Sequence, residues 1–404
     1  MSLLSVEKCI AALLDKTKLA KTSPGLNTLK TPILEANGKV LAENIVATID
    51  VPPADNSAMD GYAVRSQDIP NTVSTENTCS LAISQRIHAG HAPQPLTKGT
   101  AARIFTGAEI PASADSVVIQ ENCTEANNSV EFHQPATLAA NIRPQGQDIA
   151  KGSTILDKGR RLSSADIGLL ASIGIANVNV YHTLTVAIVN TGDELVEPGV
   201  PLEKGQIYNS NRFMLDGMLR DWGFKTLHHN VTQDSLPATI EALKNVSENS
   251  DIVLTTGGVS VGETDFVKPA VQALGDLDVW KVAIKPGKPF AFGHIQDTPF
   301  IGLPGNPASV FVTLSVLAKP FLFAQQGVKQ EDLKPTFISA KANFNRQRVR
   351  REEYLRARYH NGTVDLHPNQ SSGVLSSTAW GNCLVRQLID EEIKQGDLVS
   401  ILFY

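Results

Sequence analysis

Residues 251–266 read DIVLTTGGVSVGETDF, and this stretch decides the fold class. Its first half is an apolar run typical of a buried strand, and the run stops at Gly257 and Gly258. Two acids, Glu263 and Asp265, follow before the apolar pattern resumes. In an open parallel sheet, ligands bind outside the carboxyl ends of such strands. On its own, the glycine pair is equally consistent with a tight turn and with an anion cradle.

The sequence around this stretch alternates between strand and helix patterns. Strand candidates are TLTVAIVN, FKTLHHNV, DIVLTT, VWKVAIK and PFIGL, and helix candidates occupy 208–221, 234–246, 265–274 and 307–324. Such alternation predicts a parallel sheet covered by helices on both faces. We therefore expect a three-layer α/β domain with a mostly parallel sheet over residues 181–328.

The flanking sequence has a different character. Residues 1–48 and 146–180 contain helical patterns, whereas 49–145 contains short strand patterns separated by Gly, Pro and Asn. This arrangement predicts an elongated helical/β unit interrupted by a small β domain. Residues 329–404 return to strand patterns with frequent turn dipeptides, and they predict a C-terminal β-barrel-like domain.

Composition excludes several function classes. The 404-residue chain has a formal net charge of −5, which argues against duplex nucleic acid as a partner. Its four cysteines form no CxxC pair, so a zinc ribbon has no support. The N-terminus lacks a secretory pattern, and no segment approaches an uninterrupted membrane span. We expect a cytoplasmic protein that binds no membrane.

A second glycine turn with acids follows another predicted strand. VAIVNTGDEL (186–195) ends in Thr191 and Gly192, followed by Asp193 and Glu194. A single acidic turn of this kind is most often a helix N-cap. Acidic turns on one sheet edge, beside an anion cradle, are typical of a Mg²⁺ site. A divalent cation there removes the repulsion between carboxylates and phosphate.

Lysines cluster in the third loop region. VWKVAIKPGKPFAFG (279–293) contains Lys281, Lys285 and Lys288. The first two lie four positions apart, so in one continuous strand they would point to the same face. An oxyanion or phosphate site is the favoured interpretation, and a solvated edge strand is the alternative. The loop IGLPGNPAS (301–309) suits a rigid pocket wall or simply a helix start.

Taken together, the motifs resemble one family. DNSAMDGYA, RIFTGA, NTGDEL, TTGGVSVGETD, KPGKPFAFG and GLPGNPAS, in this order, closely resemble the molybdopterin molybdenumtransferases. This is the MoeA family, related to the E domain of gephyrin, and the resemblance covers essentially the whole chain.

The resemblance implies an enzyme of molybdenum cofactor biosynthesis. Such an enzyme inserts molybdate into adenylylated molybdopterin and hydrolyses the adenylyl phosphoanhydride with Mg²⁺, releasing AMP. It also implies a homodimer with an active site shared between subunits. Molybdopterin adenylyltransferase is the implied transient partner.

Matching the motifs position by position gives the candidate residues. The implied catalytic residues are Asp60, Thr106, Asp148, Glu194, Asp234, Asp265, Lys281, Lys285 and Arg356. The implied substrate-binding residues are Thr256, Gly257, Gly258, Ser260, Gly262, Lys288, Pro304, Gly305, Asn306, Pro307 and Arg351. Glu194 and Asp265 are assigned to Mg²⁺. Arg351 is the alternative to Arg356, because that segment has the least distinctive spacing.

Two other functions compete with this one. The same α/β domain suits a molybdopterin adenylyltransferase, which consumes ATP and needs no molybdate. A non-enzymatic scaffold of the gephyrin type is the second competitor, although the chain has no long linker or partner-binding tail.

Overall fold

The fold described below is that of a computed structural model, which describes residues 3–19, 27–229, 235–258 and 266–404. The chain forms two compact units. The larger unit comprises Met1–Glu43, Lys158–Ser163 and Asn177–Tyr404, and the smaller unit comprises Asn44–Asp157 and Ser164–Ala176. The finer division into four domains stays a prediction.

The secondary structure is mixed. The helices are α1 (Val6–Leu19), α2 (Ser164–Ser172), α3 (Ser210–Asp221), α4 (Leu236–Glu248), α5 (Val267–Leu274), α6 (Pro307–Thr313), α7 (Lys319–Gln325) and α8 (Ser376–Trp380). The strands are β1 (Thr28–Pro32), β2 (Ile45–Val46), β3 (Asn56–Ser57), β4 (Gly61–Val64), β5 (Cys79–Ile87), β6 (Thr100–Ile104), β7 (Ser116–Ile119), β8 (Cys123–Ala126), β9 (Ser129–Phe132), β10 (Ile142–Arg143), β11 (Thr154–Leu156), β12 (Asn177–Tyr181), β13 (Thr185–Asn190), β14 (Leu195–Val196), β15 (Ile207–Tyr208), β16 (Lys225–His228), β17 (Ile252–Thr256), β18 (Gly275–Lys281), β19 (Ile284–Lys285), β20 (Pro289–Ile295), β21 (Thr298–Leu303), β22 (Ile338–Ala342), β23 (Glu352–His360), β24 (Thr363–Leu366), β25 (Cys383–Gln387) and β26 (Leu398–Phe403).

The centre of the larger unit is a six-stranded sheet in the order β16-β13-β17-β21-β20-β18. The first four strands pair in parallel, and β20 pairs antiparallel with both β21 and β18, so that β20 alone runs opposite to the other five strands of this sheet. Alternate residues of the apolar strands belong to different clusters: Val189 shares one with residues of α4 and α5, and Ile188 shares another with residues of α1, α3 and α6. The three-layer, mostly parallel α/β fold is confirmed.

The predicted strand over 279–285 is wrong. β18 ends at Lys281, the isolated bridge between Leu4 and Val282 follows, and Lys285 belongs to β19 in a different sheet. Lys281 and Lys285 therefore do not share one face of a continuous strand. The apolar pattern continues through the buried residues Val282, Ala283 and Ile284, and it therefore hides this change of sheet.

The C-terminal residues form a closed barrel. β23, β24, β22, β26 and β25 pair in sequence, and β25 pairs back to β23. β19 adds to this ring, parallel to β23. Small and β-branched side chains such as Ala357 and Val385 fill the interior. The predicted barrel-like domain is confirmed.

The smaller unit contains a curled six-stranded sheet in the order β7-β4-β6-β5-β9-β8. Its two faces bury separate apolar clusters, because β4 sends Val64 to one face and Ala63 to the other. The short pairs β3–β10 and β2–β11 also belong to this unit, as does α2.

The helix Pro307–Gln325 bears on the expectation that no segment approaches a membrane span. α6, a π-helical segment (Leu314–Ala318) and α7 form one continuous helix of 19 residues, Pro307–Gln325, with a hydropathy of 1.6 in its 18-residue window. Length and composition alone would let it cross a membrane, so that expectation was wrong. Of this window, 78% is buried inside the protein, which is the placement of a core helix.

Candidate functional site

The strand register brings several predicted residues to one edge of the α/β sheet. Asn190 of β13 lies beside Thr256 of β17, which lies beside Leu303 of β21. Each strand ends there. The turn at Gly257 and Gly258 therefore leaves the same edge as the loops that follow the neighbouring strands, as expected for a ligand site of an open sheet.

Glycine allows two of these loops to lie against each other. Gly257 and Gly258 have φ of +80° and +70°, a backbone region that side chains with a Cβ rarely adopt. The Gly257 N–H donates to the Leu303 carbonyl at 3.0 Å. A Cβ added to Gly305 would meet the Gly257 Cα at 3.6 Å. The predicted glycines 257, 258 and 305 thus form one backbone-lined surface.

Buried polar atoms at this edge lack partners in the described part of the chain. Asn190 is 1% exposed and donates through Nδ2 to Thr256 Oγ1, but its Oδ1 has no hydrogen-bond partner. Thr255 is fully buried, and its Oγ1 also has none. Leaving such a group unsatisfied costs about 1–3 kcal/mol. A bound ligand that supplies both donors and acceptors would recover this free energy.

The acidic turn after β13 holds one of the two predicted metal ligands. Gly192 has φ of +144°, and a Cβ added there would lie 2.6 Å from the Glu194 carboxylate. The Glu194 side chain therefore folds back over the glycine, and it is exposed. Its backbone carbonyl accepts from Ile207 N at 2.8 Å, next to the β14–β15 pair, which fixes the turn.

The Mg²⁺ assignment can be tested only in part. Asp234, Ser260, Gly262 and Asp265 lie outside the described residues. Within residues 3–19, 27–229, 235–258 and 266–404, no group of three His, Cys, Asp or Glu side chains is placed to hold a metal ion. Glu194 supplies one exposed carboxylate, and the unpartnered Asn190 Oδ1 is an oxygen of the kind Mg²⁺ accepts. Oxygen donors are therefore present at this edge, and the assignment of Mg²⁺ to Glu194 and Asp265 stays a prediction.

A buried glutamate positions one of the predicted lysines. Lys285 Nζ lies 2.8 Å from Glu353 Oε1, and Arg346 Nη2 lies 2.6 Å from Glu353 Oε2. The Glu353 side chain is only 6% exposed, whereas that of Lys285 is 48% exposed. The Lys285 ammonium group is therefore held at the tip of the side chain by Glu353, and about half of the side chain stays open to solvent. Its neighbour Arg351 donates to the Ile284 carbonyl at 3.3 Å.

The other two lysines of this segment are also exposed. Lys281 ends β18, and the Lys288 carbonyl accepts from Val282 N at 3.0 Å, which closes the loop between them. Gly287 fixes the loop against helix α6, because a Cβ added there would lie 2.3 Å from Thr313 Cγ2. This loop therefore has little freedom to shift.

The loop after β21 is held by the C-terminal residues. Pro304 is buried, Gly305 and Asn306 are exposed, and Pro307 begins α6. Asn306 Nδ2 donates to Ser372 Oγ at 3.1 Å, and the Ala308 N–H donates to the Ser372 carbonyl at 3.0 Å. These bonds orient the predicted wall of the site.

Arg356 supports this arrangement from within the protein. It is 1% exposed, and its guanidinium donates to the Ser371 carbonyl at 3.0 Å and to Ser377 Oγ at 3.1 Å. Burial lowers the pKa of Arg356. Arg356 is therefore placed to orient the 371–377 segment from inside the protein. Arg351, the other arginine considered, is half-buried.

In the smaller unit, two predicted residues contact each other directly. Asp60 Oδ1 accepts from the Thr106 N–H and from Thr106 Oγ1, both at 2.7 Å. These hydrogen bonds lower the pKa of Asp60, the backbone bond most strongly. The carboxylate is therefore held in one orientation and in its charged form.

Asp148 lies on a loop tied to the chain that carries Asp60. The Asp148 N–H donates to the Val51 carbonyl at 2.9 Å, and the Gly107 N–H donates to the Ser57 carbonyl at 2.8 Å. The loops bearing Asp60, Thr106 and Asp148 are thus joined by backbone hydrogen bonds. The Asp148 side chain is exposed.

Several residues of the site escaped the sequence reasoning. Asn190 ends an otherwise apolar strand, and that single polar residue was the available signal. Glu353 is an acid that lies among the basic residues of 346–358. Its charge at a position buried by the strand pattern would have pointed to a paired role. Ser372 has no sequence signal, because only the fold brings it to Asn306.

The fold and site define a multidomain class: an α/β domain with a glycine-lined strand edge, followed by a small barrel and accompanied by a separate β unit. Residues 4–174 match the MoeA N-terminal region (domain I and II), 187–324 match a probable molybdopterin binding domain, and 340–404 match the MoeA C-terminal region (domain IV). The chain belongs to the MoeA family of molybdopterin molybdenumtransferases.

Individual relatives agree with this assignment. The chain is 38% identical over 378 residues to a molybdopterin molybdenumtransferase of Haemophilus influenzae, with 91% of each chain covered. It is 35% identical to a molybdopterin molybdenumtransferase of a Nostoc species, covering 91% of this chain and 86% of that one. A crystal structure of a molybdopterin biosynthesis MoeA protein from Pyrococcus horikoshii superposes with a TM-score of 0.85, at 29% identity and with full coverage of both chains.

Proposed function

We propose that this chain is a molybdopterin molybdenumtransferase of molybdenum cofactor biosynthesis. It takes molybdate and adenylylated molybdopterin as substrates, hydrolyses the adenylyl phosphoanhydride, and gives molybdenum cofactor and AMP. The observation that carries the proposal is its identity, over most of its length, to relatives that bear this name. The glycine-lined sheet edge supports it, because it offers a place for the phosphates of a pterin nucleotide.

The residues of the edge have distinct roles in this proposal. The backbone at Gly257 and Gly258 approaches the phosphates closely, and the unpartnered Thr255 hydroxyl donates to them. Lys285, held by Glu353, presents a fixed positive charge to molybdate and to the charge that develops as the anhydride breaks. Lys281 and Lys288 add to the positive field around it.

Mg²⁺ is part of the proposal. When bound, it supplies polarisation of the phosphoanhydride. Glu194 and Asp265 would hold it. The exposed, backbone-fixed Glu194 carboxylate supports this role, and Asn190 Oδ1 is a further oxygen on the same edge.

We also propose that the enzyme works as a cytoplasmic homodimer with shared active sites. Asp60, Thr106 and Asp148 of one subunit then complete the site of the other, where the oriented Asp60 carboxylate holds water or the second end of the substrate. Molybdopterin adenylyltransferase is the proposed transient partner, because it makes the nucleotide that this enzyme consumes.

An anaerobic assay with adenylylated molybdopterin tests the function. We expect AMP release that requires both molybdate and Mg²⁺ and that needs no ATP. Asp265→Asn should fold and bind the nucleotide but release no AMP. Consumption of ATP without molybdate would instead identify an adenylyltransferase. A folded protein that binds the nucleotide and never releases AMP would identify a scaffold.

A further inference from the structure

The larger unit contains a cavity of about 970 Å³ that is separate from the residues of the candidate site. It lies beside the long helix Pro307–Gln325, the C-terminal end of α3 and the last residues of the chain. Among the described residues, none of those predicted for the active site lines it. Small-molecule sites in proteins have volumes of about 300–1,000 Å³, so the cavity has room for a ligand of nucleotide size.

One side of the cavity is a stripe on the long helix. Phe311, Ser315, Lys319 and Phe323 recur every four residues and all line the cavity. In an ideal α-helix, each four-residue step rotates the side chain by about 40°, so the stripe would turn by about 120° over its length. The π-helical segment Leu314–Ala318 holds more residues per turn and reduces this rotation. π-helical turns are rare and occur frequently at functional sites.

Ser315 places an unsatisfied hydroxyl in this stripe. The residue is 6% exposed, and its Oγ has no hydrogen-bond partner among the described residues. Serine in a helix usually bonds the carbonyl four residues earlier. A buried hydroxyl without such a bond is expected to meet a ligand or water that enters the cavity.

Two cations share the aromatic wall of the cavity. Lys319 Nζ lies 4.8 Å from the Trp222 ring centre, and the Arg161 guanidinium lies 5.4 Å from that of Phe323. Burial lowers the pKa of Lys319, and the charge of Arg161 lowers it further. In the described part of the chain, no carboxylate lies within 4.0 Å of Lys319 Nζ.

Charge at the rim does not neutralise these cations. Arg160 and Lys334 line the cavity together with Asp221 and Asp332, and all four are exposed. Without Arg160, the three cations Lys319, Arg161 and Lys334 still exceed the two carboxylates of the lining. Lys319 is half-buried, and Arg161 is exposed and donates to the Gly38 carbonyl at 3.1 Å. Two neighbouring cations of this kind favour an anion between them.

We propose that this cavity binds a small organic anion that carries a planar ring. The anionic group lies between Lys319 and Arg161, the ring packs on Trp222 and Phe323, and Ser315 Oγ hydrogen-bonds a polar atom of the ligand. Aromatic carboxylates and nucleoside monophosphates share this chemistry.

Tryptophan fluorescence of the full-length protein tests the proposal, because Trp222 lines the cavity. The probes are benzoate and AMP, each paired with an uncharged analogue, benzyl alcohol and adenosine. We expect saturable changes with at least one anion, and an affinity about tenfold above that of its uncharged analogue, because a charge-assisted hydrogen bond is gained. Binding of benzoate would identify an aromatic carboxylate as the ligand class, and binding of AMP would identify a nucleoside monophosphate.

Three variants complete the test. Lys319→Gln should weaken anion binding about tenfold and leave the uncharged analogue unchanged. Ser315→Leu should remove the hydroxyl and place a larger apolar side chain in the stripe, so that both the anion and its uncharged analogue bind more weakly, while the circular dichroism spectrum stays that of the native protein. Lys268→Gln, on the exposed side of α5, is the matched control and should bind as wild type. The proposal is overturned if no anion binds saturably, or if Lys319→Gln binds the anion as wild type does. It is also overturned if an oligomer dissociates in Ser315→Leu during sedimentation, because the cavity would then be a contact between subunits.

Discussion

Replacing Arg356 by methionine separates a positioning role from direct contact with substrate. The guanidinium is buried and makes hydrogen bonds to the Ser371 carbonyl and Ser377 Oγ. Methionine keeps the length of the side chain and removes both bonds. Because the 370–377 segment also contains Ser372, which holds Asn306, we expect the loss of stability and the loss of substrate affinity to occur together.

The magnitude follows from these contacts. A hydrogen bond to a charged group contributes about 1.5–3 kcal/mol, and the variant loses such bonds at a buried position. Part of this loss is offset, since an apolar side chain is buried more easily than a charged one. We therefore expect the free energy of unfolding to fall by about 3 kcal/mol in Arg356→Met.

Urea unfolding followed by circular dichroism measures the change, and the molybdate-dependent AMP assay measures function. Arg358→Met is the matched control on the same strand, because Arg358 is exposed and its guanidinium hydrogen-bonds the Trp380 carbonyl and lies 4.7 Å from the Trp380 ring centre. The control should lose less than about 1 kcal/mol. If Arg356→Met unfolds within about 0.5 kcal/mol of wild type yet releases no AMP, the positioning role is refuted and direct contact is favoured.

Three further perturbations follow from the described contacts. Gly287→Ala should destabilise the protein by about 3 kcal/mol in thermal or urea unfolding, because the new Cβ lies 2.3 Å from Thr313 Cγ2 and the φ of +110° is strained. Gly99→Ala, which meets open space, is its control, and equal losses would contradict the steric argument. Glu353→Gln should cost about 1.5–3 kcal/mol in urea unfolding, since the hydrogen bonds to the charged Lys285 and Arg346 are weakened while both cations stay accessible to solvent, and a neutral result would show that the pairs are screened. Asp60 has a lowered pKa in the folded protein, so it contributes stability above its ordinary value of 3.8 that is lost as the pH falls below it. In Asp60→Asn, the free energy of unfolding should therefore depend less on pH in the acid range than it does in wild type. An unchanged pH dependence would show that the Thr106 hydrogen bonds do not stabilise the charged Asp60 carboxylate.

The sequence predicted those parts of the fold that depend on local pattern. Buried strands such as β17 combine an apolar run with a glycine stop, and the alternation with helices defines a parallel sheet. The barrel and the curled sheet follow from short strands with frequent turns. The strand β20 and the change of sheet between Lys281 and Lys285 were missed, because antiparallel additions and sheet switching depend on pairing partners far along the chain.

The site was predictable where a glycine or proline fixes the backbone. Gly257 and Gly305, from two separate motifs, lie against each other, and their role in substrate binding stays a prediction. The side chains that hold the site were not predictable, because their partners come from distant segments. Glu353 lies 68 positions from Lys285, and Ser372 lies 66 positions from Asn306. No local spacing encodes such pairs, and Asp265, the first acid to test, lies outside the described residues.

The barrel depends on strand β19, which comes from outside the C-terminal region. The five strands of the ring are encoded from residue 338 onward, but Ile284–Lys285 adds a sixth strand, parallel to β23, from the preceding α/β region. In a C-terminal fragment expressed alone, the start of β23 would lack its β19 partner and expose unpaired backbone groups. Glu353 would also lack Lys285. The α/β domain and the barrel should therefore be expressed together in one chain, even though the matched family regions are separated by a boundary between residues 324 and 340.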